Sequence, residues 1–301
     1  MGGFRKGWFV LALVLIFQFA SGYFSQDEDK PVPRRPQIDL PKPGVSDTHP
    51  APRIPGAALP APSRRDPLFT IETGEKGNST GTAFAIRDDG VWLTARHVVD
   101  GCDQVGLVVG PRRAVRVSRV LSHPRADMAV LWTRTTAPAL AISAAPLRVR
   151  QSGYHFGFPQ AEPGQVTSRL IGRRNMRSVG RYRHTEPVVA WSERRRVPNT
   201  ESLGGISGGP ALNRSGEIVG VTVASSKRRG RVMTTAPVSL AQMLEMADVR
   251  PEGRPAAGLN ANPSDANFTD YGTALRRQLT VAQVICRVED QPRRRRSWRR
   301  L

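Results

Sequence analysis

An all-β fold, a barrel or a sandwich, is predicted from Phe69 onward in this 301-residue chain. Three observations predict it. Apolar residues recur in about ten short runs with strand spacing, turn residues separate the runs, and one stretch alone before the C-terminal tail has helical spacing. Composition bounds the rest. A hydrophobic content of 39% is enough for one substantial cored domain with appendages, not for a second large one. Formal charge is +20, from 45 Lys+Arg against 25 Asp+Glu, which favours acidic partners without naming one. The basic residues are scattered along the chain instead of gathered on a reader helix, so no nucleic acid is expected as a partner. Two cysteines exclude a disulfide-rich miniprotein and a cysteine-built zinc cluster, and no metal site is expected.

Residues 1–26 carry Arg5 and Lys6, then an apolar run from Trp8 to Ala20, then Asp27, Glu28 and Asp29. A basic end, a greasy centre and an acidic exit form a signal anchor or a signal peptide. Ala20-Ser21-Gly22 would suit a signal peptidase, while Phe24 and the slow fade of hydrophobicity suit an uncleaved membrane helix. Both readings export the remainder, to the periplasmic face of a bacterial inner membrane or to a soluble periplasmic or secreted state. Residues 27–68 hold eleven prolines between Pro31 and Pro67 and read as an extended, solvated linker.

The predicted strands follow in order. Thr80–Ile86 and Val91–Ala95 flank Asp88-Asp89-Gly90, a strong hairpin signal. Further strands are expected at Gln104–Val109, Ala114–Leu121, Met128–Trp132, His155–Phe158, Gln165–Ile171, Pro187–Trp191, Ile218–Val223 and Arg231–Thr235. Ser239–Met246 has Leu240, Met243 and Leu244 at helical spacing. Residues 249–291 form a C-terminal extension in which Tyr271–Val288 reads as a helix docked on the sheets. Cys102 and Cys286 are candidates for a disulfide, since export favours pairing; two separate buried thiols, or a bond between chains, are the other readings. In the basic tail, residues 292–301, six arginines surround Trp298; a solvated end and contact with an anionic lipid surface are both open.

Three positions carry chemistry. His97 ends a strand in Thr94-Ala95-Arg96-His97-Val98-Val99, and Asp127 stands directly before the apolar run Met128-Ala129-Val130-Leu131. Ser207 sits in Gly204-Gly205-Ile206-Ser207-Gly208-Gly209-Pro210. Glycines around a serine allow tight-turn geometry and turn amides toward one point. A serine hydroxyl is a poor nucleophile until a histidine removes its proton, and that histidine needs an acid to fix its tautomer. The order His, Asp, Ser with these motifs resembles the chymotrypsin-like serine peptidases, nearest to their bacterial HtrA-like branch, over residues 69–248.

The resemblance implies two six-stranded β-barrels of the chymotrypsin type; a short C-terminal helix and the N-terminal membrane-targeting helix read above complete the expected fold. It makes His97 the general base, Asp127 its orienting carboxylate and Ser207 the nucleophile, with the amides of Gly205 and Ser207 as oxyanion hole. No cofactor is required, and the substrate class is protein or peptide. Ile206 replaces the acid that digestive relatives carry before the nucleophile, so an ion-pair zymogen switch is not expected. The 55 or so residues after the last helix are too few for the PDZ domain that HtrA-like proteins carry. Glu201, Thr222, Val223 and Ala224 are the candidate substrate-binding residues: Glu201 would favour a basic P1 side chain, Val223 and Ala224 a small or apolar one. His155 reads as structural, and His123 as part of a surface turn. The implied function is an envelope serine endopeptidase, possible roles being protein quality control or regulated processing; the alternative is a silent peptidase-like binding or scaffold domain at the membrane.

Overall fold

The structure, a computed structural model, describes residues 56–226 and 229–289. Strand β1 (Leu68–Thr73) leads into the hairpin β2 (Ser79–Arg87) and β3 (Val91–Thr94), followed by the single helical turn α1 (Arg96–Val99). Strands β4 (Gln104–Gly110), β5 (Arg113–Arg116), β6 (Arg119–Ser122) and β7 (Ala129–Trp132) complete the first half. The second half holds β8 (Ser152–Gly157), β9 (Gly164–Gly180), β10 (His184–Val197), β11 (Pro210–Leu212), β12 (Ile218–Ser226) and β13 (Arg231–Thr235). Helices α2 (Pro237–Ala247) and α3 (Phe268–Arg277) precede a last strand, β14 (Val281–Arg287).

The β2–β3 turn closes on Gly90, whose φ of +98° and whose missing Cβ, 2.4 Å from the Thr133 carbonyl oxygen if present, both require glycine. One sheet has the order β5-β4-β14-β2-β3-β7-β6 and is antiparallel throughout. The other has the order β1-β9-β10-β13-β12-β11-β8, with β8 also paired to β9 and with β1 parallel to β9. The two sheets share two apolar clusters, which lie on opposite faces of β2, β3 and β7 because alternate residues of these strands divide between them. Phe84, Leu93 and Val130 of the first sheet meet Tyr154, Phe156 and Leu212 of the second, capped by Leu240 of α2 and Phe268 of α3. Trp92, Leu131 and Val284 meet Met176, Val188 and Met233 in the other cluster. The buried indoles keep a partner each: Trp92 Nε1 donates to Thr133 Oγ1 at 3.1 Å and Trp191 Nε1 to Thr234 Oγ1 at 3.0 Å.

Three expectations are corrected. The architecture is two seven-stranded sheets with three short helices among the described residues, not two six-stranded barrels. Each sheet recruits a strand from outside the expected set: β1 adds to the edge at β9, and β14 inserts between β2 and β4. The tail helix predicted over Tyr271–Val288 is helical only to Arg277; Val281–Arg287 is strand because Val281, Ala282 and Val284 fill the gap beside β2. Among the described residues no helix is long and apolar enough to cross a membrane, so the expected membrane-targeting helix is not one of the elements described. The apolar run of residues 8–20, most of the proline-rich linker and the arginine tail 292–301 lie outside the described residues.

Candidate active site

His97 lies on α1, directly after β3. The short helix leaves carbonyls unpaired at its end, and Lys76 Nζ supplies the donors, 3.1 Å from His97 O and 2.9 Å from Val98 O. Burial, with repulsion from Arg181 beside it, lowers the Lys76 ammonium to about 8. Asp127 sits in the loop before β7. Both its oxygens go to one residue: Oδ1 accepts the His97 backbone N–H at 2.8 Å and Oδ2 faces His97 Nδ1 at 2.6 Å. The double bond fixes ring and helix together and makes Nδ1 the protonated nitrogen, which leaves Nε2 as the basic one.

The electrostatics reinforce this. Burial acts against the imidazolium of His97, but attraction and hydrogen bonding from Asp127 outweigh it and hold the ring above its ordinary pKa. Burial likewise opposes the Asp127 carboxylate, and His97 outweighs it, so Asp127 is held below the usual carboxylate range.

Ser207 is half-buried in the loop between β10 and β11. The loop is built on backbone geometry. Gly205 has φ +98° and a Cβ there would lie 2.4 Å from Phe158 O; Gly208 has φ +87° and a Cβ would lie 2.0 Å from Thr82 O. Thr82, fully buried in β2, ties the loop to the first sheet: its N–H donates to Ser207 O at 2.9 Å and its hydroxyl to Gly205 O at 2.8 Å, while accepting from Phe158 N–H at 3.1 Å. Among the described residues the N–H groups of Gly205 and Ser207 donate to nothing, whereas those of Gly204, Ile206, Gly208 and Gly209 are all used. Two free amides flanking a serine are what an oxyanion site requires. Neither Ser207 Oγ nor His97 Nε2 has a hydrogen-bond partner among the described residues.

The proposed pocket residues separate. Thr222 is fully buried under the nucleophile loop, its carbonyl accepting Gly208 N–H at 2.7 Å. Val223 is buried beside it and Ala224 half-buried, while Glu201 stands exposed on the loop. His155 is core: Nε2 pairs with Ser168 Oγ at 2.8 Å and Nδ1 with Thr222 Oγ1 at 3.2 Å, and burial lowers its pKa to about 3, which keeps it neutral. His123 is not on a surface turn; it is 4% exposed, and its Nδ1 accepts the Arg125 N–H at 3.1 Å. Cys102 and Cys286 are joined by a disulfide, which fastens β14 beside α1. Among the described residues no group of three His, Cys, Asp or Glu is placed to hold a metal.

A second layer behind the site was not anticipated. The β9–β10 hairpin reaches across to the His97 helix: Tyr182 OH donates to Asp100 Oδ2 at 2.9 Å, and Arg96 stacks over the Tyr182 ring at 4.3 Å. Glu186 of β10 accepts the Asp127 backbone N–H at 2.8 Å. An acid two residues ahead of the apolar run Val188–Trp191 was the available signal, but alternation within one strand does not reveal a partner in the other sheet.

Residues 81–221 match the family described as Trypsin-like peptidase domain. Among curated proteins, a probable periplasmic serine endoprotease DegP-like of Hahella chejuensis is 29% identical over 53% of this chain and 32% of its own. The protein of the same description from Halomonas elongata is 27% identical over 61% of this chain and 38% of its own. The chain thus spans about a third of the length of these relatives. Among solved structures, the active form of the Rv3671c protease from M. tuberculosis aligns with a TM-score of 0.49 at 20% identity, over 65% of this chain and 97% of that one. The matched span contains His97, Asp127 and Ser207, so over residues 81–221 this chain is similar to trypsin-like peptidase domains and to the DegP-like endoproteases.

Proposed function

We propose that the protein is a serine endopeptidase that hydrolyses peptide bonds of protein substrates in the bacterial envelope, in quality control or regulated processing. His97 Nε2 takes the proton of Ser207 as its Oγ attacks the scissile carbonyl carbon, and the resulting oxyanion lies between the Gly205 and Ser207 amides. Collapse breaks the C–N bond, and the imidazolium gives its proton to the leaving amine. Water, deprotonated by His97, then attacks the acyl-enzyme and releases Ser207 and a carboxylic acid. The observation that supports this reading most is the pairing of the locked His97–Asp127 dyad with two free amides around Ser207. The periplasmic description of the relatives supports an exported location.

Thr222, Val223 and Ala224 are assigned to the substrate cleft, with Glu201 at its rim. The exposure of Glu201 and the apolar Val223 favour a small or apolar P1 side chain over a basic one. For the arginine tail, the six arginines around Trp298 leave a solvated end and an anionic lipid partner as the two readings.

Treatment of the full-length protein with a fluorophosphonate probe tests the reading. One adduct by intact mass is expected, lost in Ser207→Ala and reduced strongly in His97→Ala. A folded protein that takes no label contradicts it and favours the silent binding domain, for which the unpartnered Ser207 Oγ is the one supporting observation.

A further inference from the structure

Glu186 is a buried acid that the reaction above does not use. It is 1% exposed, on β10 opposite the fully buried Met176, and it belongs to the second sheet although its contact is with the first. Oε1 accepts the Asp127 N–H at 2.8 Å and lies 3.4 Å from His184 Nε2. Oε2 is buried and has no partner among the described residues. Satisfying one amide needs only a neutral acceptor, such as a glutamine; a carboxylate with an orphaned second oxygen costs more to bury than that task demands.

We propose that Glu186 is a positioning residue for the His97–Asp127 dyad: its ionised carboxylate holds the Asp127 backbone and sustains the basicity of His97, and a proton taken up on Oε2 withdraws that support. The proton comes from solvent. The groups that face this cluster come from three elements. Asp127, Arg125 and the buried His123, which burial above all holds below its ordinary pKa, approach from the loop before β7, and His184 lies on β10 itself. His97 and Arg96 approach from α1, and Arg96 Nη1 donates to the carbonyls of His123 and Pro124 in the Asp127 loop at 3.2 Å each. Arg181 and Tyr182 close the hairpin tip against Asp100, with Lys76 beyond them. Burial above all, and then the charge of Asp127, push Glu186 up to about 7, against the hydrogen bond from His184. Protonation there is therefore accessible in the range where His97 must act as a base.

The inference rests on the peptidase reading, and its test separates the two. The pH dependence of fluorophosphonate labelling is measured for the full-length protein, Glu186→Gln and Glu186→Ala. Glu186→Gln keeps the size and the acceptor and removes the charge. Its labelling rate is expected to equal that of the unaltered protein near pH 6 and to fall severalfold below it above pH 8. Glu186→Ala, which removes the acceptor as well, is expected to be slow throughout. A Glu186→Gln profile that is unchanged, or lowered by one factor at every pH, would overturn the proposal in favour of a purely structural acid. NMR titration of the 15N-labelled His97 ring gives an answer independent of turnover: its midpoint is expected to drop by about half a pH unit or more in Glu186→Gln. An unmoved midpoint would refute the role of the charge even in a protein that does not label, whereas failure of the unaltered protein to label counts against the peptidase reading alone.

Discussion

The two halves of the site are held by different physics. The Ser207 loop is set by excluded volume and backbone hydrogen bonds, with Gly205 and Gly208 in left-handed conformations pressed against Phe158 and Thr82. The His97–Asp127 side is set by charge, with Glu186 and His184 behind Asp127, and Lys76 and Arg181 near the His97 helix. Sterics do not titrate, and burial makes charges do so in unaccustomed ranges. The nucleophile loop should therefore tolerate pH and resist added volume, while the base side should respond to pH and to any change that removes a charge, even an isosteric one.

The largest break is expected at Asp127→Asn, which keeps shape and loses charge. Labelling of Ser207 should fall by about 10⁴-fold near neutral pH, and the stability profile should change with a defined sign. Because Asp127 is held below its ordinary pKa, its contribution to stability is present above the unfolded value and lost as pH falls through the folded one. The raised pKa of His97 gives stability that is fully present below its unfolded value and lost as pH rises through its folded value. Thermal melts against pH should be flatter in the variant at both ends.

Gly208→Ala tests the steric half. A methyl group 2.0 Å from Thr82 O at φ +87° has no room, and the neighbour is backbone. A loss of about 4 kcal/mol or failure to fold is expected, measured by urea denaturation. Wild-type stability would mean the loop is softer than its geometry implies. Next comes the Cys102→Ser, Cys286→Ser pair. Opening a link between residues 184 apart in sequence should cost roughly 2–5 kcal/mol, measured the same way, because β14 loses its tether to the His97 helix. The smallest effect is expected from Thr82→Val, which removes the hydroxyl bonds to Gly205 O and Phe158 N. About 1–3 kcal/mol should be lost, with slower labelling and an unshifted pH midpoint. A shifted midpoint there would erase the distinction between the halves.

Much of the site was legible locally. His97, Asp127 and Ser207 stand in short segments whose residue types already state a chemistry, and the glycines around Ser207 announce a backbone that only glycine can adopt. The hairpin at Asp88–Gly90 and the strand Arg231–Thr235 were likewise readable from alternation and turn residues. Other elements were not. Predicted strands at Gln165–Ile171 and Pro187–Trp191 proved to be the cores of β9 and β10, which run on to Gly180 and Val197 because pairing with each other, and not side-chain pattern, carries them through arginine-rich sequence.

What the sequence alone determined is therefore what residues do over a few positions: strand alternation, turn chemistry, and the three motifs with their amides. What only the tertiary structure decided is which distant segments meet. Val281–Arg287 became a strand between β2 and β4, 184 residues from Cys102 at its disulfide, because an open sheet edge offered unpaired backbone groups and an apolar gap. Glu186 came to hold Asp127 because the start of β10 lies against the loop before β7 of the other sheet. Hydrogen-bond pairing and burial act through space, and a partner 59 residues away leaves no periodic trace in the chain that needs it.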